Sequence, residues 1–387
     1  MRFMYLWQSS QWPDFKVNLA ALQPTLAAAR FSQGKAMGLV THLQLPDLVA
    51  LQLQGWSDEA LATAQIEGEI LQLNSVRASV ARRLGLSNDK KIKRDARAEA
   101  TLNVLQGALQ NSHRPLSHQT LFEWQATLFP TGRSGMHKIL TGAYRTHAEP
   151  MQIVTPRIDK PDLVHYQAPA SEDVQRHMDI FIHWFNSSLR QQDGLVRAAL
   201  AHLWFETIHP FEDGNGRIGR ALVEMALAQD LKTEQRLWSL SQQIWHDRSS
   251  YYEQLQTATS RANMDVTPWV QWFVSCIHKA ADSSWDQMQS AMRKTRFWAD
   301  LREHHLALTP SQSKAINKLY DAGPDNLSSG HNVGFIGGMS TEKYVNLCGV
   351  SRTTAYRELT ALCEAGLLVQ TGIGRGTRYQ LHHFGRV

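Results

Sequence analysis

Cysteine is scarce in this chain of 387 residues: Cys276, Cys348 and Cys363, odd in number and far apart. That spacing makes neither a disulfide framework nor a zinc pattern, and it suits a reducing compartment. Long apolar runs are missing as well. No stretch approaches the roughly 20 residues that a helix needs to cross a bilayer. The opening MRFMYLWQSSQWPDF lacks the apolar segment and small-residue cleavage site of a signal peptide. A cytoplasmic protein with no membrane partner is therefore expected. Neither sign of charge dominates; the formal excess of +5 is too mild at this size to argue for nucleic acid by itself. The apolar share of 43% and charged share of 19% are those of a globular protein.

What is present in quantity is chemistry around one short stretch, HPFEDGNGRIGR, from His209 to Arg220. Ala198–Ile208 before it and Arg220–Gln229 after it are apolar at helical spacing. The glycines therefore sit in a tight loop that opens a helix. The free N–H groups and dipole of a helix start attract anions, and Gly214 and Gly216 let the backbone approach a phosphate without a Cβ in the way. Arg217 and Arg220 are three apart, so both guanidinium groups share a helix face, and each can fork two N–H donors onto phosphate oxygens. Asp213 suits Mg²⁺, which takes one or two carboxylates plus substrate oxygens. His209 can take a proton from an incoming hydroxyl near neutral pH. A Gly-Asn-Gly alone is an ordinary capping turn; the whole constellation reads as a phosphoryl- or nucleotidyl-transfer site.

These residues fill every position of HxFx[D/E]GNGRxxR, and the chain thereby resembles the Fic family, whose enzymes typically move AMP from ATP to a protein hydroxyl. The resemblance implies that His209 is the general base for a Tyr, Thr or Ser of a target protein, that Phe211 anchors the loop and that Asp213 holds Mg²⁺. It implies that Gly214, Asn215 and Gly216 cradle the α- and β-phosphates. Arg217 would stabilise the leaving pyrophosphate, and Arg220 would reach the γ-phosphate. Some relatives use other nucleotide donors.

Residues 57–85 read as a helix with Ser57 as N-cap and Asp58 and Glu59 in its first turn. Thr63 and Glu67 are four apart on one face, and Gly68 falls in mid-helix, at a cost of about 1 kcal/mol against alanine. The string TAQIEG matches the inhibitory pattern [S/T]xxxE[G/N] of many Fic proteins. By that resemblance Glu67 pairs with Arg220 and fills the place of the γ-phosphate charge, so that ATP would bind with its α-phosphate misaligned.

Other stretches carry weaker signals. Phe3–Trp7 is a short aromatic, strand-like piece, followed by a helical run through Ala36 that resembles a module found before some Fic domains. After a basic segment, Lys90–Arg97, helices run to Leu128. Met151–Val154 and Leu163–Tyr166 flank Pro156–Pro161 as a hairpin. In the family this is a flap that pairs with the target by strand addition; Gln152, Ile153, Val154 and Thr155 would then lie over the nucleotide. Ser171–Leu189 is amphipathic, and its His177 and His183 read as helix surface or core groups rather than ligands. Tyr251 or Tyr252 would stack on the adenine, the family tending to place a tyrosine pair there; the residues do not choose between them.

Ala280–Arg302 reads as a connecting helix. Thr309 caps a helix with Pro310 at its first position, and two further helices with a turn at Gly349 lead to two strands with a glycine-rich tip. That is the layout of a winged helix-turn-helix. Ser351, Arg352, Thr353, Thr354 and Arg357 would face DNA from the recognition helix, with Arg375 and Arg378 on the wing, although such modules also serve protein contacts or dimerisation alone.

The fold expected is mainly α: a Fic-type helical bundle with a β-hairpin flap, plus a C-terminal winged helix-turn-helix. The expected division is 1–55 for the N-terminal module, 56–85 for the inhibitory helix and 86–280 for the catalytic core with its flap at about 147–168; 281–306 form the linker helix and 307–387 the winged domain. Three functions compete: AMP transfer restrained by Glu67, removal of AMP at the same site, and a DNA-binding regulator that senses nucleotide. A homodimer reading paired half-sites fits the last.

Overall fold

The computed structural model describes residues 5–41, 43, 45–86, 94–155, 163–235, 237–260, 264–321 and 338–382. Two units divide the chain: Met1–Met37 with Val49–Asp282, and Gly38–Leu48 with Ser283–Val387. The larger unit is built on α7 (Gly194–Ile208) and α8 (Asn215–Leu231). Every residue of α7 is buried, the polar Arg197, His202, Glu206 and Thr207 along with its apolar majority. Asp193 caps it, accepting from the N–H groups of Leu195 and Val196. Gly219 lets the two helices approach closely; a Cβ on it would stand 2.7 Å from Glu206 Oε1.

Around this pair lie α1 (Leu19–Val40), α2 (Leu45–Ile66), α3 (Leu73–Arg83), α4 (Ala96–Gln110), α5 (His118–Leu128) and α6 (Ser171–Ser187). After α8 follow α9 (Leu240–His246), α10 (Arg248–Thr259) and the start of α11 (Thr267–Glu303), whose residues from Ser283 on belong to the smaller unit. Two small hairpins complete the unit. Strand β1 (Arg133–Ser134) pairs with β2 (His137–Lys138), and β3 (Gln152–Thr155) pairs antiparallel with β4 (Leu163–Gln167), with a bulge after Ile153. The second hairpin is rooted on α7: Tyr166 is buried and its hydroxyl donates to the Thr207 carbonyl. The Pro156–Pro161 connection lies outside the described residues.

Three sequence expectations need correction. First, Ser57 does not cap a helix. It is buried inside α2, where its hydroxyl donates to the Leu53 carbonyl, and Asp58 accepts from Gln54. Glu59 instead serves α9, accepting from the Ser239 hydroxyl at 2.8 Å and the Ser241 N–H at 3.1 Å. Second, the helix does not run through Gly68. It ends at Ile66, and Gly68 turns the chain at φ 78°, in the left-handed region that a side chain disfavours. Third, the aromatic start is no strand: Leu6–Gln8 is a 3₁₀ turn, and Phe3 is outside the described residues. The helix expected over Ala280–Arg302 is present and is continuous with the residues before it, as part of α11.

The smaller unit holds α12 (Pro310–Asp321), α13 (Thr341–Cys348), α14 (Arg352–Glu364), β5 (Leu368–Thr371) and β6 (Arg378–Leu381). Gly349 turns between α13 and α14 at φ 68°, and Ser340 and Ser351 cap the two helices. Strands β5 and β6 form the wing, and Met339 extends it through two backbone bonds with Tyr379. Ile316, Tyr344, Ala355, Leu359 and Tyr379 lie in its own core.

Candidate active site

The loop between α7 and α8 is held by its own side chains. His209 ends α7 in the left-handed conformation, φ 50° and ψ 60°, so the chain reverses there. Phe211 is fully buried, and Asn215 staples it: Asn215 Oδ1 accepts from the Phe211 N–H at 2.9 Å, and Nδ2 donates to the Phe211 carbonyl at 2.8 Å. The Asn215 side chain is thus spent on the loop, leaving its backbone for an anion. Gly214 sits at φ 89°, and a Cβ there would also stand 2.9 Å from Phe129. The N–H groups of the first turn of α8 have no intrahelical partner.

Arg145 clamps the same loop from outside the motif. Its Nε donates to the His209 carbonyl at 2.9 Å, and Nη2 donates to the carbonyls of Pro169 at 2.6 Å and Ile208 at 3.3 Å. Its N–H bonds the Pro210 carbonyl at 2.9 Å. Burial lowers this guanidinium to about 10, still charged at neutral pH.

Both motif arginines meet carboxylates from the turn after α2. Arg220 donates from Nε to Thr63 Oγ1 at 2.7 Å, and from Nη2 to the Thr63 carbonyl at 3.1 Å and to Glu67 Oε1 at 2.7 Å. Glu67 lies directly over Gly216, where any Cβ would fall 2.2 Å from Oε1. Burial alone would raise Glu67, but Arg220 overrides it and holds the carboxyl below its usual range. Arg217 donates from Nη1 to Glu69 Oε1 at 2.9 Å and lies over the Phe129 ring at 4.9 Å. The left-handed Gly68 between them lets both glutamates face the loop. The end of α2 is itself held, since Arg248 and the Tyr252 hydroxyl donate to the Ile66 carbonyl at 3.1 and 3.0 Å.

His209 is pushed down to about 4, first by burial and then by Arg145, so its imidazole is neutral at pH 7. Its Nδ1 stands 3.8 Å from Glu206 Oε2. Burial, and then the Glu67 charge, raises Glu206 to about 8. Asp213 accepts at Oδ2 from the Ser134 hydroxyl of β1 and at Oδ1 from the Gly214 N–H, and is 37% exposed. One oriented carboxylate beside an anion pocket fits the donor set that Mg²⁺ takes when substrate oxygens and water fill the remaining positions. Among the described residues, no three His, Cys, Asp or Glu side chains gather into a metal site.

The remaining candidates are spread more widely. Tyr251 is buried and its hydroxyl meets His202 Nε2 at 2.9 Å, whereas Tyr252 is 43% exposed. On the flap, Gln152 donates to Gln167 at 3.0 Å, Ile153 and Val154 are exposed, and the Thr155 side chain is outside the described ones. His177 accepts from Trp12 Nε1, and His183 is exposed. In the smaller unit Arg352, Thr353 and Arg357 are exposed, Thr354 is half-buried, and Ser351 spends its hydroxyl on the Thr354 N–H. Arg378 donates to the Thr377 carbonyl; the Arg375 side chain is outside the described ones.

Residues 115–227 match the model of the Fic/DOC family. Residues 5–86 match a domain of unknown function, DUF4172, and residues 333–382 match the C-terminal domain of the DIP2311-like transcriptional regulators. The chain thus carries a Fic domain, distantly related to protein adenylyltransferases. It is 28% identical over 138 residues to the protein adenylyltransferase Fic of Nematostella vectensis, covering 35% of this chain and 30% of that one. It is 25% identical over 268 residues to the protein adenylyltransferase fic-1 of Caenorhabditis briggsae, covering 66% and 46%. The chain spans less than half the length of either relative. Its fold resembles a Fic family protein from Desulfovibrio desulfuricans G20, with a TM-score of 0.52 at 20% identity over 97% of this chain and 99% of that one. A Fic domain-containing signaling protein from Bacteroides thetaiotaomicron gives 0.52 at 18% identity, over 68% and 97%. No helix among the described residues is long and apolar enough to cross a membrane.

Glu69, Arg145, Ser134 and Glu206 escaped the sequence reading. Glu69 and Glu206 lie within three residues of Glu67 and His209, but which way they point depends on the turns at Gly68 and His209. Arg145 and Ser134 reach the loop through space, from a stretch whose glycines and prolines show no periodicity.

Proposed function

We propose that this chain is a protein adenylyltransferase held at rest by its own turn at residues 67–69. The observation that carries the reading is Glu67 on Arg220, with its carboxylate filling the space over Gly216. A carboxylate bonded to a buried arginine and standing over the first turn of a helix occupies the kind of site that suits a phosphate. ATP would lay its phosphates along Asn215–Arg217, with Arg217 and Arg220 neutralising the outer charges once Glu69 and Glu67 withdraw. Tyr252 is the tyrosine of the pair with surface to meet the adenine. Mg²⁺ at Asp213 would neutralise charge on the phosphates.

A target segment would add to the β3–β4 hairpin and present its hydroxyl. The hydroxyl oxygen attacks the α-phosphorus, its proton passes to His209 Nε2, and the bond to pyrophosphate breaks. Positioning and charge neutralisation supply most of the rate. The test is mass spectrometry of Glu67→Gly after incubation with ATP, Mg²⁺ and cell extract. A protein gaining the mass of AMP supports transfer. Loss of label from a pre-labelled product with the unmodified chain would instead support removal.

The match of residues 333–382 to a transcriptional regulator, together with the exposed Arg352, Thr353 and Arg357, favours a second activity in the same chain: DNA binding by α14. Selected duplexes are expected to bind with a steep loss of affinity as salt rises. Arg352→Ala should abolish that binding, and His209→Ala should leave it intact; a salt-insensitive interaction indifferent to Arg352 would count against it.

A further inference from the structure

His202, Glu206 and His209 stand four and three residues apart, along one stripe of α7. Glu206 is 7% exposed in a helix buried on all sides. A carboxyl group in such a place costs stability that an aliphatic side chain would not. Its Oε2 faces His209 Nδ1 at 3.8 Å. Its Oε1 and His202 Nδ1 crowd one point above Gly219, 2.7 and 3.1 Å from where a Cβ would stand. Glu206 Oε1 and the Nδ1 atoms of His202 and His209 are buried and meet no side-chain partner in good hydrogen-bond geometry; main-chain groups of Gly219 and Glu206 lie against the two rings. A row of unmet polar atoms beside a reacting group closes by small rotations or by one bridging water, and hydrogen bonds of catalytic groups are often long before substrate binds.

We propose that Glu206 is a positioning residue for His209: its carboxyl oxygen accepts the hydrogen on Nδ1 and leaves the lone pair on Nε2. The inference rests on the transferase reading, in which Nε2 must receive the proton of the target hydroxyl. The main-chain carbonyl of Glu206 also lies against the ring and would hold the same hydrogen. The carboxyl group adds something the carbonyl lacks. Once ionised, it stabilises the imidazolium that forms when the hydroxyl proton arrives. The ionisable groups facing Glu206 are Glu67 and Arg220, the hydroxyls of Tyr251 and Tyr166, and the two histidines. Burial and the Glu67 charge favour its neutral form, against Arg220. Withdrawal of Glu67 therefore favours the carboxylate, so that the departing plug also strengthens the base.

The test uses the full chain carrying Glu67→Gly. Nitrogen-15 spectra of the His209 ring should show the Nδ1–H form alone in this parent and a mixture of both forms in Glu206→Leu. The same variant should lose at least about tenfold in kcat for AMP transfer with KM for ATP within about twofold, the loss typical of removing an orienting partner. Retention of the single Nδ1–H form together with an unchanged kcat in Glu206→Leu would overturn the proposal and assign the role to the main-chain carbonyl. If Glu206→Leu does not fold, Glu206→Gln keeps the volume. The rise of kcat with pH that accompanies Glu206 ionisation should vanish in it, and a rise that persists overturns the proposal. A parent with no AMP transfer at all sinks the transferase reading, while the ring spectra still decide the place of Glu206.

Discussion

Glu67→Gly is expected to incorporate AMP about 100-fold faster than the unmodified chain, because a buried charge-assisted bond is worth roughly 1.5–3 kcal/mol and 1.4 kcal/mol is tenfold. Arg220 is 2% exposed, so without Glu67 its guanidinium lacks a carboxylate and water replaces it poorly. The γ-phosphate of ATP would then gain what the carboxylate gives up. Glu69→Gln should activate less, by about 3–10-fold, because Glu69 bonds Arg217 at the side, whereas Glu67 also fills the space over Gly216 where a phosphate would lie. Both carboxylates ride on the turn at Gly68, so the double variant should fall short of the product of the two factors. Labelled ATP and the four proteins of this cycle measure it directly. A Glu67→Gly rate within about threefold of the unmodified chain would remove the plug from the account. A Glu69→Gln rate equal to that of Glu67→Gly would move its centre to Arg217.

How far the site was legible follows from where its constraints lie. In the His209–Arg220 stretch each position answers to its neighbours: Asn215 bonds Phe211 four residues away, and Gly214 needs its left-handed backbone. Such local demands are written in the sequence. The helix before Glu67 was misread because a capping residue looks the same whichever helix it serves. Ser57, Asp58 and Glu59 have the letters of a helix start, yet Glu59 bonds the start of α9, some 180 residues away. Gly68 was misplaced although glycine favours a helix end, because the apolar run beyond it suggested that the helix continued at a cost of about 1 kcal/mol. The β1–β2 hairpin has two residues in each strand, too few for any alternation to show, and yet it delivers Ser134 to Asp213. The two long central helices were plain, because runs so largely apolar have nowhere to go but the core, although they carry Arg197, Glu206, Arg217 and Arg220 in with them.

The stability of the chain is expected to fall steeply in acid, and Glu206 should set how steeply. His202 and His209 are held at about 3 and 4, chiefly by burial, against 6.5 when exposed. Between pH 6.5 and 4 the unfolded chain binds two protons that the folded chain refuses. Each such proton costs about 1.4 kcal/mol per pH unit. Glu206 runs the other way. Its folded value of about 8 lies above the ordinary 4.5, so the folded chain holds one extra proton between those limits, and its share of stability is full below 4.5 and lost as pH rises through 8. From pH 6.5 to 4.5 the net is therefore one proton, and stability should drop by about 3 kcal/mol, a large part of the roughly 5–15 kcal/mol that a domain possesses. Below 4.5 the counterweight vanishes and the slope should double. Glu206→Gln removes the counterweight everywhere, so its slope between pH 6.5 and 4.5 should already be about twice that of the unmodified chain. Denaturant titrations of the full chain at half-unit steps of pH resolve the difference. Equal slopes for the two proteins would mean that Glu206 is ionised in the folded state, and that the neutral acid beside His209 does not exist at rest.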